Sequence, residues 1–250
     1  MNVFITGGSS GIGAALARRY TAQGAKVGLF ARRQEALDAV VATLPPASSA
    51  TYTGDVRDPP RLFEAAKSFM GRFGVPDVVI ANAGVGRGAL TEHAEDIATF
   101  REILEINVVG LVATFSPFIA AMEKARSGSL VGIASVAGFR GLPGGGAYSA
   151  SKAAAITYLE SLRLERRGSG VSVITICPGY IDTPMTSENP YPMPFLLRPE
   201  RAAALMIRAI ERRKSFYVLP WQMALVGRIM RALPRPLYDA AFAGAPRKPR

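Results

Sequence analysis

A parallel β-sheet covered by helices on both faces, in one α/β domain, is the fold that this 250-residue chain predicts. Three observations point to it. Short apolar runs alternate with stretches of helical periodicity along the chain, the pattern of repeated strand–helix units. The stretch Thr6-Gly7-Gly8-Ser9-Ser10-Gly11-Ile12-Gly13 lies between a predicted strand and a predicted helix, the context of a doubly wound, Rossmann-type sheet. The length suffices to bury a large core, and the single cysteine, Cys177, excludes an intramolecular disulfide.

The elements follow in order. Val3–Ile5 reads as the first strand and Ile12–Gln23 as the first helix, which Gly24 ends. In the turn between them Gly7 reverses the chain, Gly11 leaves room for a pyrophosphate, and Gly13 lets the helix pack on the strand. Ser9, Ser10 and Ile12 complete a cradle at a helix N-terminus, where free N–H groups favour an anion. Lys26–Phe30 is the second strand. The segment Ala31-Arg32-Arg33 then stands where an acid would hold a ribose 2′-hydroxyl, about 20 residues past the glycine turn. The acid is absent and two guanidinium forks follow, which suits a 2′-phosphate and favours NADP(H) over NAD(H).

Gln34–Leu44 is helical, and Pro45 and Pro46 break the chain. Ala50–Thr53 is a short third strand leading to Asp55 and Val56; Asp55 suits either an adenine amino group or the cap of the helix Pro59–Arg72. Asp77–Ala81 is a buried fourth strand, followed by Asn82-Ala83-Gly84, small enough to admit a cofactor ribose. A long helix is expected over Asp96–Ala125, kinked at Pro117. Its apolar stretch holds Asn107, either a satisfied core amide or part of a proton path. Ser129–Ala134 is the fifth strand with Ser135 at its end, and the loop Gly138–Gly146 leads to a helix starting near Tyr148. Val171–Cys177 and Ser215–Leu219 complete about seven strands, with Cys177 a buried thiol.

The chemistry gathers at Tyr148 and Lys152, one helical turn apart and on one face. A free tyrosine, with a pKa of about 10, is a poor base at neutral pH, and a nearby ammonium favours its phenolate. Ser135, at a strand end, is suited to polarise a carbonyl. The lone histidine, His93, has no partner of ligand type nearby, so no metal site is expected.

The glycine turn, Asp55, Asn82-Ala83-Gly84, Asn107, Ser135, Tyr148 with Lys152, and Pro178-Gly179 occur in the order of the short-chain dehydrogenase/reductase (SDR) family, which the chain resembles in its compact form. The resemblance implies a seven-stranded parallel sheet and an NADP-dependent oxidoreductase passing hydride between the nicotinamide and a C=O or CH–OH carbon. It implies Tyr148 as general acid in reduction and base in oxidation. Lys152 would hold the nicotinamide ribose and depress the Tyr148 pKa, Ser135 would orient the carbonyl, and Asn107 would hold a water linking Lys152 to solvent. Pro178, Gly179, Ile181 and Thr183 would line the nicotinamide side. Ala81, where the family often has a second asparagine, is one departure from the pattern.

A catalytic domain over 1–219 and a helical, basic extension over 220–250 are expected, with a mobile lid over 182–198. Lid residues Met185 and Phe195, with Phe139 and Leu142, suggest an apolar carbonyl or alcohol substrate; Arg140 and Arg198 are candidates for its anionic end. A 3-oxoacyl reductase and a non-catalytic NADP-binding sensor are the competing readings. Of the net charge of +11, nine units fall between Arg198 and Arg250, with 12 Lys and Arg against 3 Asp and Glu. Basic charge confined to the tail argues against nucleic acid as a partner. In the helix Trp221–Leu233, the apolar positions Met223, Val226, Met230 and Leu233 recur among arginines. That pattern suits packing on the pocket or another subunit, or peripheral membrane contact. The final segment, Ala245 to Arg250, is expected to be disordered. With no signal peptide and no uninterrupted apolar run of spanning length, the expected setting is the cytoplasm. The family resemblance implies a homodimer or homotetramer built through the Tyr148 helix.

Overall fold

Alternation within the first strand sorts the two faces of the sheet. The computed structural model describes residues 1–248. In β1 (Asn2–Thr6), Val3 and Ile5 enter one core and Phe4 the other, as the two-residue period of a strand requires. The remaining strands are β2 (Lys26–Ala31), β3 (Ser49–Thr53), β4 (Val78–Ala81), β5 (Ser129–Ile133), β6 (Ser172–Pro178) and β7 (Phe216–Leu219). All pair in parallel, in the order β3-β2-β1-β4-β5-β6-β7. The helices are α1 (Gly11–Ala22), α2 (Gln34–Val41), α3 (Pro59–Phe73), α4 (Asp96–Leu104), α5 (Gly110–Ala125), α6 (Gly146–Glu165), α7 (Pro199–Glu211), α8 (Trp221–Ala232) and α9 (Arg235–Phe242).

The two cores differ in chemistry. Beneath α1, α2 and α7 the core is aliphatic, with small residues such as Ala14, Ala17 and Ala203 letting helix and sheet approach. Beneath α3, α5 and α6 it is aromatic. Phe4 packs against Phe118 at 4.9 Å between ring centroids and edge-on against Phe69 at 5.4 Å.

From β1 the chain winds outward to β3, then returns to place β4 on the other side of β1. That reversal opens a crevice at the carboxyl ends of β1 and β4. The two ends are stitched together there. The Thr6 hydroxyl accepts hydrogen bonds from the Asn82 and Ala83 N–H groups at 3.2 and 3.3 Å, and the Asn82 amide donates to the Thr6 and Gly7 carbonyls at 3.1 Å each.

Several elements depart from the sequence expectation. The irregularity in the long helix is a π-helical segment, Glu105–Val109, which holds Asn107; Pro117 sits inside the uninterrupted α5. The run Asp96–Ala125 spans 30 residues with a mean hydropathy of 1.8 in its most apolar window, long and apolar enough to cross a membrane by length and composition. Half of that window is buried in the domain, where Phe115, Phe118 and Met122 reach the aromatic core. Asp58, not Asp55, caps α3, accepting from the Arg61 N–H at 3.2 Å.

The extension packs on its own domain. Met223 and Gly227 of α8 are buried and Val226, Met230 and Leu233 half-buried. A second apolar stripe, Trp221, Leu225 and Ile229, faces outward. Arg140 binds the far end of the helix: its guanidinium donates to the Met230 and Leu233 carbonyls at 3.0 Å each and lies 4.1 Å from the centre of the Tyr238 ring. It is therefore a helix cap, not an anchor for substrate. Of the segment 245–250, expected to be disordered, Arg247 and Lys248 make contacts with the domain, and Pro249 and Arg250 lie outside the described residues.

Candidate active site

The crevice is a cleft of about 320 Å³ running from the glycine turn to Tyr148. At its start Gly7 and Gly11 take left-handed conformations (φ 67° and 51°), which favour glycine. A Cβ on Gly13 would stand 2.2 Å from the Gly7 carbonyl oxygen, so only glycine lets α1 begin so close to β1. Ser10, at the N-cap of α1, makes no side-chain cap hydrogen bond, so the first-turn N–H groups remain available to an anion. Gly7, Ser9, Ser10, Gly11 and Ile12 line the cleft while Gly13 lies behind it.

Arg32 and Arg33 form the rim next to this cradle, both exposed, with Asp55 and Val56 opposite. A bidentate contact with Arg57, 2.7 Å at its shortest, holds the Asp55 carboxyl below the usual carboxylate range, and Arg32 adds to the effect. Asn82, Ala83 and Gly84 follow along the floor. Asn107 lies behind Gly84. Its amide nitrogen donates to the Val85 carbonyl and the Ser151 hydroxyl, and its oxygen accepts from the Val85 N–H, all at 2.9 Å. Both amide hydrogens are thus engaged in tying the π segment to the chain after β4 and to α6.

Ser135 follows β5 and caps a single 3₁₀ turn, Val136–Gly138, accepting from the Ala137 N–H at 3.1 Å. A Cβ on Gly138 would meet the Lys152 backbone at 2.7 Å, so this glycine lets the Ser135 turn rest directly on α6. Lys152 is buried, and its ammonium donates to the Ile133 carbonyl at 2.9 Å. It lies 5.8 Å from the centre of the Tyr148 ring. Burial lowers Lys152 to about 8. Burial also raises the Tyr148 phenol, against a hydrogen bond with Ser135 that lowers it, while Cys177 adds to the rise. Loss of hydration is the largest influence on the phenol, and it acts against the ionised form.

A model of the family described as short chain dehydrogenase matches residues 1–192 of this chain. The chain belongs to the short-chain dehydrogenase family. It is 39% identical to an uncharacterized oxidoreductase of Myxococcus xanthus over 95% of this chain and 94% of that protein. Among solved structures, a short-chain dehydrogenase from Streptomyces avermitilis superposes with a TM-score of 0.82 at 28% identity, covering 97% of each chain. An alcohol dehydrogenase from the archaeon Thermococcus sibiricus, complexed with 5-hydroxy-NADP, superposes with a TM-score of 0.76 at 27% identity, over 87% of this chain and 95% of that one.

As a short-chain dehydrogenase the protein is an oxidoreductase of a family that uses a nicotinamide cofactor, and the bare backbone cradle with its free N–H groups fits the pyrophosphate of such a group. Pro178, Gly179, Ile181 and Thr183 line the far wall of the cleft. Of the expected substrate residues, Met185 lines the cleft, whereas Phe139, Leu142 and Phe195 do not. Phe139 stacks on Phe216 and fills the space over Gly227 of α8; Phe195 is exposed. Thr186 was not singled out from sequence. It joins the wall, donating to the Ile181 carbonyl at 2.6 Å and accepting from the Thr183 N–H at 3.0 Å. The three-residue spacing of Thr183 and Thr186 is the local signal that identifies it.

Proposed function

We propose that this protein is an NADP(H)-dependent carbonyl reductase acting on apolar ketones or aldehydes, with Tyr148, Lys152, Ser135 and Asn107 as its working residues. One observation carries the reading: the Tyr148–Lys152 face of α6 and the glycine cradle open into a single cleft. Gly7, Ser9, Ser10, Gly11, Ile12 and Gly13 would form the pyrophosphate cradle. Arg32 and Arg33 would bind the 2′-phosphate, Asp55 and Val56 the adenine, and Asn82, Ala83 and Gly84 a ribose. Tyr148 and Lys152 would bind the nicotinamide ribose, and Pro178, Gly179, Ile181 and Thr183 the nicotinamide. That cofactor, when bound, supplies or accepts the hydride.

The protein's own part is the proton. Tyr148 holds it on the phenol oxygen, donating to a carbonyl in reduction and accepting from an alcohol in oxidation. Burial raises the phenol, so it holds its proton at neutral pH, the form needed to donate to a carbonyl. Ser135 orients the carbonyl by its hydroxyl. Lys152, anchored on Ile133, keeps a positive charge beside the ring. Asn107 contributes by position, since both of its amide hydrogens are already engaged.

Residues 182–198, which contain no helix, are the proposed lid, with Met185 its contact to substrate. Ile97, Phe100, Val109 and Val112 on α4–α5 and Leu164 on α6 are exposed apolar residues suited to a second copy of the chain. Trp221, Leu225 and Ile229 with Arg228 suit an anionic membrane surface, tested by liposome flotation of the wild type against W221S/L225S.

The test of function is NADPH oxidation against ketones and aldehydes of increasing chain length, with NADH in parallel. Turnover that grows with chain length and prefers NADPH supports the reading. Tight NADPH binding without turnover on any compound overturns it in favour of a sensor.

A further inference from the structure

The segment after α9 runs between two loops to the Tyr148 ring, which lines the cleft. Tyr238 of α9 donates its hydroxyl proton to the Gly141 carbonyl at 2.6 Å, pinning α9 to the loop that precedes Tyr148. Beyond it, Arg247 pairs with Glu92 at 3.6 Å, on the loop that follows β4. Two glycines make the seat. A Cβ on Gly144 (φ 68°) would lie 2.8 Å from the Arg247 Cβ and 2.9 Å from the Lys248 nitrogen. A Cβ on Gly86 would lie 3.0 Å from the Lys248 Nζ and 3.1 Å from the Tyr148 ring. The segment therefore fills space that side chains at these two positions would occupy.

Lys248 is the consequence. Its ammonium stands 5.1 Å from the centre of the Tyr148 ring, half-buried, and among the described residues it has neither an ion pair nor a hydrogen bond. The ring face offsets only part of the lost hydration of such a cation. Of the other cations nearby, Arg247 is paired with Glu92, Arg140 caps α8, Lys152 donates to Ile133, and Arg231 lies against the Phe139 ring. Arg198 lies exposed at the N-cap of α7. An oxyanion entering beside Tyr148 would meet the half-buried Lys248 ammonium, where a charge-assisted hydrogen bond gains strength from the lost hydration.

We infer that Lys248 is a specificity-determining residue, which receives an anionic group, carboxylate or phosphate, carried by an otherwise apolar carbonyl substrate whose C=O meets Tyr148. This rests on the reductase reading above and narrows its substrate class. The test compares a medium-chain oxo acid with its methyl ester in the wild type, K248Q and K248R. The acid-to-ester ratio of kcat/KM is expected to fall at least tenfold in K248Q and to recover in K248R. An unchanged ratio in K248Q overturns the inference.

A second measurement separates its failure from that of the reductase reading. Binding of hexanoate and of hexyl phosphate, neither of them reducible, is followed by calorimetry with the NADPH-loaded protein. Binding at least tenfold weaker in K248Q supports the inference even if no ketone is turned over, and the tighter probe distinguishes carboxylate from phosphate. Equal binding in the two proteins, or none in the wild type, overturns it.

Discussion

Tyr148 and Lys152 share one face of α6, and burial moves their pKa values in opposite directions: the phenol rises and the ammonium falls to about 8. Both shifts favour the neutral form, as low dielectric does for any ionisable group. The consequence for Lys152 is testable without substrate. Its native-state value lies below the ordinary lysine value, so the unfolded chain binds more protons between about pH 8 and 10.5, and stability rises with pH across that window. The penalty is fully present below pH 8 and amounts to roughly 3 kcal/mol. Any thermal-stability advantage of the cofactor-free K152M protein over wild type should therefore narrow by several degrees between pH 7 and 10, as measured by thermal unfolding; a constant difference contradicts the burial argument. Tyr148→Phe removes the transferable proton and little else. It should keep NADPH binding within about threefold while lowering kcat by at least about 100-fold. Replacing both Arg32 and Arg33 by alanine removes the guanidinium forks at the rim. The KM for NADPH should rise about 10- to 100-fold and that for NADH little.

At the scale of elements, the site is held by contacts that sequence periodicity does not report. The π segment turns Asn107 toward Val85 and Ser151, making a clamp of a residue that also reads as part of a proton path. Asp55 and Asp58 illustrate the same limit. Both stand before a helix, and only the geometry distinguishes the cap of α3 from the carboxylate held by Arg57 at the cleft rim. Arg140 is the clearest correction, since its side chain ends on two carbonyls at the end of α8 and against the Tyr238 ring. Arg140→Ala should destabilise the protein by about 1–3 kcal/mol through the lost cap and cation–π contact, lowering Tm by roughly 2–10 °C. Calorimetry checks this, and an unchanged Tm would mean that α8 holds its seat without the cap.

For the whole molecule, the open questions concern surfaces. The exposed α4–α5 stripe belongs to a helical run with an apolar central window, one side in the aromatic core and the other facing outward. A protein exposing Val109 and Val112 there should self-associate through them. The variant V109D/V112D should sediment as a monomer where the wild type sediments as a dimer or tetramer; a monomeric wild type at micromolar concentration refutes this arrangement. The basic charge of the tail is divided by the fold. Arg247 and Lys248 are brought to the cleft mouth, while Arg228 and Arg235 remain exposed.

The sequence by itself determined the parallel sheet, the glycine turn, the arginines at the cleft rim and the Ser135–Tyr148–Lys152 set. Each of these is written in local spacing: a turn that needs glycine, a two-residue strand period, and a pair one helical turn apart. Tertiary structure alone decided which cations are free and which are bound, that Phe139 packs on α8 instead of lining the cleft, and that Lys248 lies against Tyr148. Those outcomes depend on contacts between residues as distant in the chain as Glu92 and Arg247. Hydration lost at such contacts, like that which shifts Tyr148 and Lys152, has no counterpart in the order of residues along the chain.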